Sequence, residues 1–343
     1  MPYENWSSLP EGEQRKIFSN INVGYGVIFP PGLPFDFGKM LVEIDPCKME
    51  VETPSQTSRS YSEILESEFE FKLKKFGQTS TEVNAGIKGT IEEVEVGGNA
   101  SASTSTSREE TTESLKKTYY LYAEYSVTQK TFNVDLESLS GKLTPTFLNK
   151  LQKAIRLDEQ EVSLHAMTNL ITVLNEYGWY LPNSLTVGGK ITYWDSNEVA
   201  KDSSTSKLEE SFKESASASI GVPLVGEGSA DVTHTETSGT EHSQSSYKAT
   251  SKAERRVIGG TAVGADPKET SAWLQSLDDS SKWRVVQMTM TPVLSFVPED
   301  LYNHIRKLRS KYAPYGAVKK IAHIDVTSYF SEVEISRGEA DNW

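Results

Sequence analysis

Apolar side chains recur at two periods along this chain, and each period predicts an element where it holds. Leu164, Leu170, Ile171, Leu174 and Tyr177 return every three to four residues, the stripe of a helix with one buried face. Glu159 and Glu161 fall in its expected first turn, where the helix dipole favours negative charge. Gly178 closes the helix and Pro182 reinforces the stop. Leu185, Val187, Ile191 and Tyr193 then alternate as a strand expected to end at Trp194. Gly188-Gly189 stands inside that strand, which marks a bend, a bulge or a close backbone approach. Residues 144–155 predict a second helix, with Pro145 at its start and Phe147, Leu148, Leu151 and Ile155 on one face. The first sixty residues, rich in Pro and Gly with short β-like runs at 21–27 and 41–44, predict an arm packed on a domain. Residues 298–312 predict a last helix, acidic at Glu299 and Asp300 and basic at Lys307, Arg309 and Lys311; residues 321–335 read as β.

Two segments carry both periods at once. Within 61–118, Leu65, Phe69, Leu73 and Phe76 have helical spacing, yet Phe69, Phe71 and Leu73 alternate with charges. Val83, Ala85 and Ile87 alternate further on, and after a change of phase so do Val94, Val96, Gly98, Ala100, Ala102, Thr104 and Thr106. Ser107 and Glu110 have the spacing of a capping box, with Leu115, Tyr119 and Tyr122 continuing a helical stripe. Residues 119–127 and 132–136 read plainly as strand. Within 195–256, Ser206 and Glu209 repeat the capping box, and Leu208, Phe212, Ala216 and Ile220 step by four. Phe212, Ala216, Ala218, Ile220, Val222 and Leu224 also fit alternation by two, with Glu214 as the exception; Ala230 and Val232 resume it in a Ser/Thr-rich tract. The tracts 98–106 and 228–236 are alike, and the two segments read as paired insertions.

Tyr177-Gly178 closing a helix, then Trp179, Tyr180 and Leu181, then six residues, then Gly188-Gly189 in a strand, resembles the signature of the membrane-attack-complex/perforin (MACPF) family. The family's usual Thr-His is replaced here by Trp179-Tyr180. Val257-Ile258-Gly259-Gly260, a short helix flanked by Ala272-Trp273-Leu274 and Trp283, and a strand over 285–290 follow in the family's order, so the resemblance covers roughly residues 25–300. It implies a single α+β domain built on a bent, twisted four-stranded antiparallel sheet flanked by two helical clusters. The implied division is an N-terminal arm with first β elements (1–60), the core (61–300) and a C-terminal helix with a short β appendix (301–343). In the family the helical clusters unfurl into two hairpins, and each subunit adds four strands to a ring-shaped pore. By resemblance, the hairpins come from about 61–118 and 195–256, and Gly188-Gly189 and Gly259-Gly260 lie at the bend that straightens on opening.

Composition agrees with that expectation and narrows it. At 343 residues there is ample material for a core. A net charge of -13 gives neither nucleic acid nor an anionic lipid surface any electrostatic hold. Cys47 is the single cysteine, which leaves no internal disulfide. No 18-residue apolar run and no leader pattern is legible, so the expectation is a soluble chain released without a classical signal peptide. The sequons at Asn5 and Asn99 fit that route, because a glycan on Asn99 would obstruct insertion. The histidines, His165, His234, His242, His304 and His323, form no metal array; Gly226-Glu227-Gly228-Ser229 lacks the lysine of a phosphate loop; no GxSxG elbow occurs. No enzyme, cofactor or metal is expected. The expected partners are target-membrane lipids, further copies of the chain in a ring, and a separate small lipid-binding protein, since no aromatic docking loops follow the last helix. The alternative is a non-lytic member of the family that works by interaction or signalling, for which Glu214, the acidic run 92–95 and Pro223 speak.

Overall fold

The computed structural model describes residues 6, 9–29, 35–46, 49–54, 58–65, 71, 74, 116–135, 142–155, 163–200, 205–226, 250, 252–261, 267–312, 324 and 326–338. Its axis is a pair of long antiparallel strands, β5 (Lys116–Asn133) and β6 (Tyr180–Ala200), paired from Asn133↔Ser184 to Lys116↔Ala200. β4 (Ser58–Leu65) runs antiparallel along the far edge of β5. Tyr180 pairs both with Val27 of β1 (Tyr25–Ile28) and with Pro292 of β9 (Arg284–Pro292), which puts β1 and β9 on opposite edges of β6. β8 (Glu254–Ile258) continues the β9 edge, opposite residues 190–194 of β6. The core is therefore four antiparallel lanes: β4, β5, β6, and a fourth made of β8 and β9 in line. Short pieces complete a nine-stranded sheet: β1 with β2 (Asp36–Met40), β3 (Glu50–Glu52) on β5, and β7 (Val225–Gly226) parallel to β4.

Alternation places side chains on both faces, and both are covered. Leu121, Ala123, Tyr125 and Val127 of β5, with Ile191 and Tyr193 of β6, join the main core. Tyr122 and Trp194 point the other way, into a second cluster with Tyr61, Leu65 and Phe71. The predicted helices appear as α2 (Pro145–Ile155) and α3 (Leu164–Tyr177), packed through Phe147 and Tyr177 at a ring separation of 5.2 Å. Ser163 caps α3 by accepting from the Ala166 amide at 3.1 Å. That cap corrects the expected helix start: Glu159 and Glu161 lie outside the described residues, ahead of it, and the first turn of α3 carries no acidic residue. α6 (Glu299–Tyr312) occupies the predicted 298–312.

Several expectations are corrected. α1 (Glu11–Asn20) stands in the supposed arm, turning Ile17 and Phe18 into the core. The run 41–44 is no strand: it makes the isolated bridge Val42↔Leu143, and the Leu41 and Val42 amides both donate to the Gly24 carbonyl. Of the two periods at Tyr119 and Tyr122 the strand reading of 119–127 holds and the helical stripe does not: both lie in β5, because two neighbouring strands satisfy its backbone along most of its length. β6 runs past Trp194 to Ala200, and Pro182 sits inside it at a shift of register against β9, where a missing amide is tolerated. Ser206 falls inside α4 (Thr205–Ile220), not ahead of it. The expected C-terminal β appendix is a helix, α7 (Val326–Ser336). Val326, Tyr329, Phe330 and Val333 recur at helical spacing and are buried, and Tyr329 meets the rings of Trp179 and Tyr180 edge-on at 5.0 and 5.3 Å.

Candidate functional site

The fourth lane breaks in the middle of the sheet. β8 ends at Ile258, opposite Lys190, and β9 begins at Arg284, opposite Gly188. Between them the chain leaves through Gly259-Gly260, forms α5 (Pro267–Ser276), and returns; the Gly260 amide donates to the Lys282 carbonyl at 2.9 Å and closes the neck. Pairing slips next to the break on both edges of β6, between Thr128 and Lys130 of β5 and between Thr186 and Val187 against β9. Such irregularities bend strands and increase their twist.

Only glycine fits this joint. Gly259 has φ +68, and a Cβ there would lie 2.4 Å from the Gly188 carbonyl oxygen. At Gly188 an added Cβ would lie 2.0 Å from the Val127 carbonyl oxygen, and at Gly189 2.6 Å from the Trp273 ring. Trp273, on α5, fills the space that the missing side chains leave. Its Nε1 donates to the Gly259 carbonyl at 2.9 Å, and its ring lies 5.9 Å from that of Tyr125. Both glycine pairs singled out in the sequence thus meet at one point, under one tryptophan. Tyr177 and Gly178 do not join them. They sit at the start of β6, where a Cβ on Gly178 would lie 2.4 Å from the Gly26 Cα and one on Gly38 would lie 2.6 Å from the Tyr177 carbonyl oxygen. The signature therefore divides into the glycine joint of the broken lane and a separate close-packed anchor. Gly26 and Gly38 escaped the sequence reading, since short strands give no period against which a glycine stands out.

On the face opposite Trp273, Glu124 of β5 and Lys190 of β6 form a buried ion pair at 3.2 Å, and the Tyr122 hydroxyl donates to the same carboxylate at 2.7 Å. Burial pushes the Glu124 carboxyl up, but the Lys190 ammonium and donation from Tyr122, Ser126 and Lys190 outweigh it and hold it below the usual carboxylate range. Burial, reinforced by the Glu124 charge, pushes the Tyr122 phenol well above its ordinary value. This network ties β5 to β6 beside the glycine joint.

α4 lies on the Trp273 face. Leu208, Phe212, Ala216 and Ile220 are buried, and Phe212 stacks on Tyr193 at 5.8 Å. Ala218 and Glu214 face outward. Thr270 of α5 donates to the Ile220 carbonyl at 2.7 Å, coupling the end of α4 to the helix that carries Trp273. Beyond Gly221, Val222 and Leu224 are buried, and the Leu224 amide donates to Ser217 Oγ at 3.2 Å. Thr250 returns to β6, where its amide donates to the buried Asp195 at 2.8 Å. The stripe at intervals of four is the one the fold uses. Val83, Ala85, Ile87, Val94, Val96, Ala100, Ala102, Ala230 and Val232 lie outside the described residues. Among those described, no helix is long and apolar enough to cross a membrane.

No curated protein sequence matches this chain. Among solved structures, GNIP1Aa from Chromobacterium piscinae is similar at 15% identity and TM-score 0.47, covering 89% of this chain and 57% of its own. A MAC/perforin-domain protein of Bacteroides thetaiotaomicron is similar at 13% identity and TM-score 0.47, covering 84% and 58%. The chain thus spans less than two thirds of the length of either. A sequence model described as the fungal MACPF-like domain matches residues 60–305, well over half of the chain and inclusive of the glycine joint, β5, β6 and α4. On that match, the protein belongs to the MACPF family.

Proposed function

We propose that this chain is a pore-forming subunit, which assembles into a ring on a target membrane and inserts hairpins from about 61–118 and 195–256 into a shared transmembrane β-barrel. The observation that carries the reading is α4: a segment whose sequence alternates as a strand, held as a helix by one buried stripe. A spanning segment must satisfy all its backbone groups internally, and alternating segments do so only in a closed barrel. The apolar burial that α4 gives up on leaving the sheet, about 1.5–3 kcal/mol for a residue such as Phe212 or Ile220, is recovered against lipid. The glycine joint supplies backbone freedom where the sheet would change its bend. With a charge of -13, electrostatics do not draw the chain to an anionic bilayer, and the reading assigns targeting to a separate lipid-binding partner. Tight binding of the purified chain alone to liposomes would remove that assignment.

The test is a reversible lock. The Thr270 hydroxyl meets the Ile220 carbonyl, so α4 and α5 touch here, and a cysteine pair engineered across that contact in a Cys47→Ser background, its disulfide verified by thiol titration, supplies the lock. Dye release from vesicles of total-lipid extracts, with and without candidate lipid-binding partners, is expected to vanish on oxidation and return on reduction. Release indifferent to a formed lock would show that the wrong segment has been assigned. Glu214 favours a second, non-lytic reading, since it interrupts the apolar alternation with a charge. A folded chain that releases dye from no lipid or partner mixture decides for it.

A further inference from the structure

We propose that the glycine joint carries, on the face opposite Trp273, a binding site for a compact oxyanion of the phosphate class that bridges the two halves of the broken fourth strand. A cleft of about 280 Å³ opens there, several times the roughly 30 Å³ of one water molecule. Arg256 and Ile258 of β8, Arg284 and Val286 of β9, and Lys190 and Thr192 of β6 line it. The placement follows from register. Thr192 pairs with Arg256, Lys190 with Ile258 and Gly188 with Arg284, so residues two apart on β6 present one face at the joint.

Three features give this cleft a preference for an anion. Arg256 is half-buried and has neither an ion pair nor a hydrogen bond among the described residues. Arg284 donates only to the carbonyls of Ser281 and Trp283, at 3.2 and 2.7 Å, and has no carboxylate partner among the described residues. Two guanidinium groups without carboxylates, in one cleft, match the forked geometry that binds phosphate and carboxylate oxygens. The third feature is Thr192. It is 4% exposed, its Oγ1 has no hydrogen-bond partner among the described residues, and it lines the cleft between Lys190 and Arg256. A buried hydroxyl left unpaired costs free energy, and an oxyanion oxygen in the cleft would satisfy it. Of the other charges in the lining, Lys74 is committed to Glu63 and Lys190 to Glu124. Asp36 is the one carboxylate there, and its Oδ1 already accepts from the Phe37 amide at 2.8 Å.

The consequence rests on the pore-forming reading. An anion held by Arg256 on one side of the break and Arg284 on the other adds a bond that only the bent sheet makes. It therefore stabilises the closed state by mass action. The same chemistry arrives either as free phosphate or as the phosphate of a lipid headgroup.

Thermal unfolding of the full chain in inorganic phosphate, against sodium chloride at equal ionic strength, reads out the site directly. Wild type is expected to gain on the order of 2–3 °C in Tm for each tenfold rise in phosphate above its Kd. Phosphate also stabilises folded proteins without a site, by exclusion from their surfaces, and that contribution persists in variants. Arg256→Gln and Arg284→Gln are therefore expected to keep a small, unsaturating gain and lose the rest. Equal gains in all three proteins would overturn the site. Glycerol 1-phosphate and vesicles containing phosphatidic acid are the second arm. Arg256-dependent stabilisation by glycerol 1-phosphate together with Arg256-dependent vesicle binding assigns a lipid source; an Arg256-dependent response to inorganic phosphate with neither of these assigns free phosphate; no Arg256-dependent response to any of the three removes the phosphate class. Slower dye release in saturating phosphate, lost in Arg256→Gln, is the linked functional result. Binding without that slowing would leave the site standing and count against the role of the glycine joint in opening.

Discussion

Replacing Gly259 with alanine is expected to cost about 2–4 kcal/mol of stability, the strain of a left-handed backbone compounded by an overpacked contact. The estimate follows from what the new methyl group meets. It would lie 2.4 Å from a backbone oxygen, that of Gly188, at a φ of +68, so no side chain can rotate to make room. Gly12→Ala is the control. Nothing lies within 4 Å of a Cβ there, and the position is in the first turn of a helix, so that variant is expected within about 0.5 kcal/mol of wild type. Urea denaturation measures both. A cost at Gly259 as small as at Gly12 would mean that the sheet break yields easily and is not the tight joint described here.

Lys190→Met is expected to be at least as damaging, about 3–5 kcal/mol, because it leaves the Glu124 carboxylate buried without its cation. Lys190→Met combined with Glu124→Gln should regain much of the loss, since the apolar and neutral pair carries no stranded charge. The pH dependence gives the pair a second signature. The Glu124 pKa is depressed in the fold, so its contribution is complete above the unfolded value of about 4.3. It is lost as pH falls from there through the folded value, while the unfolded chain takes up the proton first. Wild type is therefore expected to weaken more steeply than the double variant on acidification below about pH 4.3. Parallel slopes would show that the pair holds no linked charge.

The long elements were legible because they bury one face against a partner that does not change along their length. α3 shows a 3.6-residue period and β6 a two-residue one, and both glycine pairs stand out against β-branched neighbours. The glycine joint itself was only half legible. The resemblance places both 188–189 and 259–260 at the bend, but no periodicity shows that they touch or that the tryptophan between them in space is Trp273, since that contact is made by pairing across β6. Glu124 and Lys190 were invisible for the same reason: each reads as a polar position on a half-exposed strand, and burial comes from residues far away in the chain. α7 was misread because Val326, Tyr329, Phe330 and Val333 are strand-prone types, and their composition outweighed their helical spacing. What lies under a helix decides such cases, and here it is Trp179 and Tyr180.

The pairing of β5 with β6 holds without a slip from Val127↔Gly189 down to Lys116↔Ala200. Those last two residues border the two segments assigned to hairpins, so the existing ladder acts as a template for whatever is added to it. Growth in unbroken register would set Ala102 opposite Glu214, Ala100 opposite Ala216, Gly98 opposite Ala218, Val96 opposite Ile220 and Val94 opposite Val222. The apolar alternations of two distant segments would then share one surface, whereas a slip by one residue would turn either of them inward. In a formed pore, cysteines at Ala100 and Ala216 should therefore oxidise to a cross-link, and cysteines at Ala100 and Ser217 should not. On the proposed pore-forming reading, the ladder between Lys116 and Ala200 would set which side of the wall meets lipid.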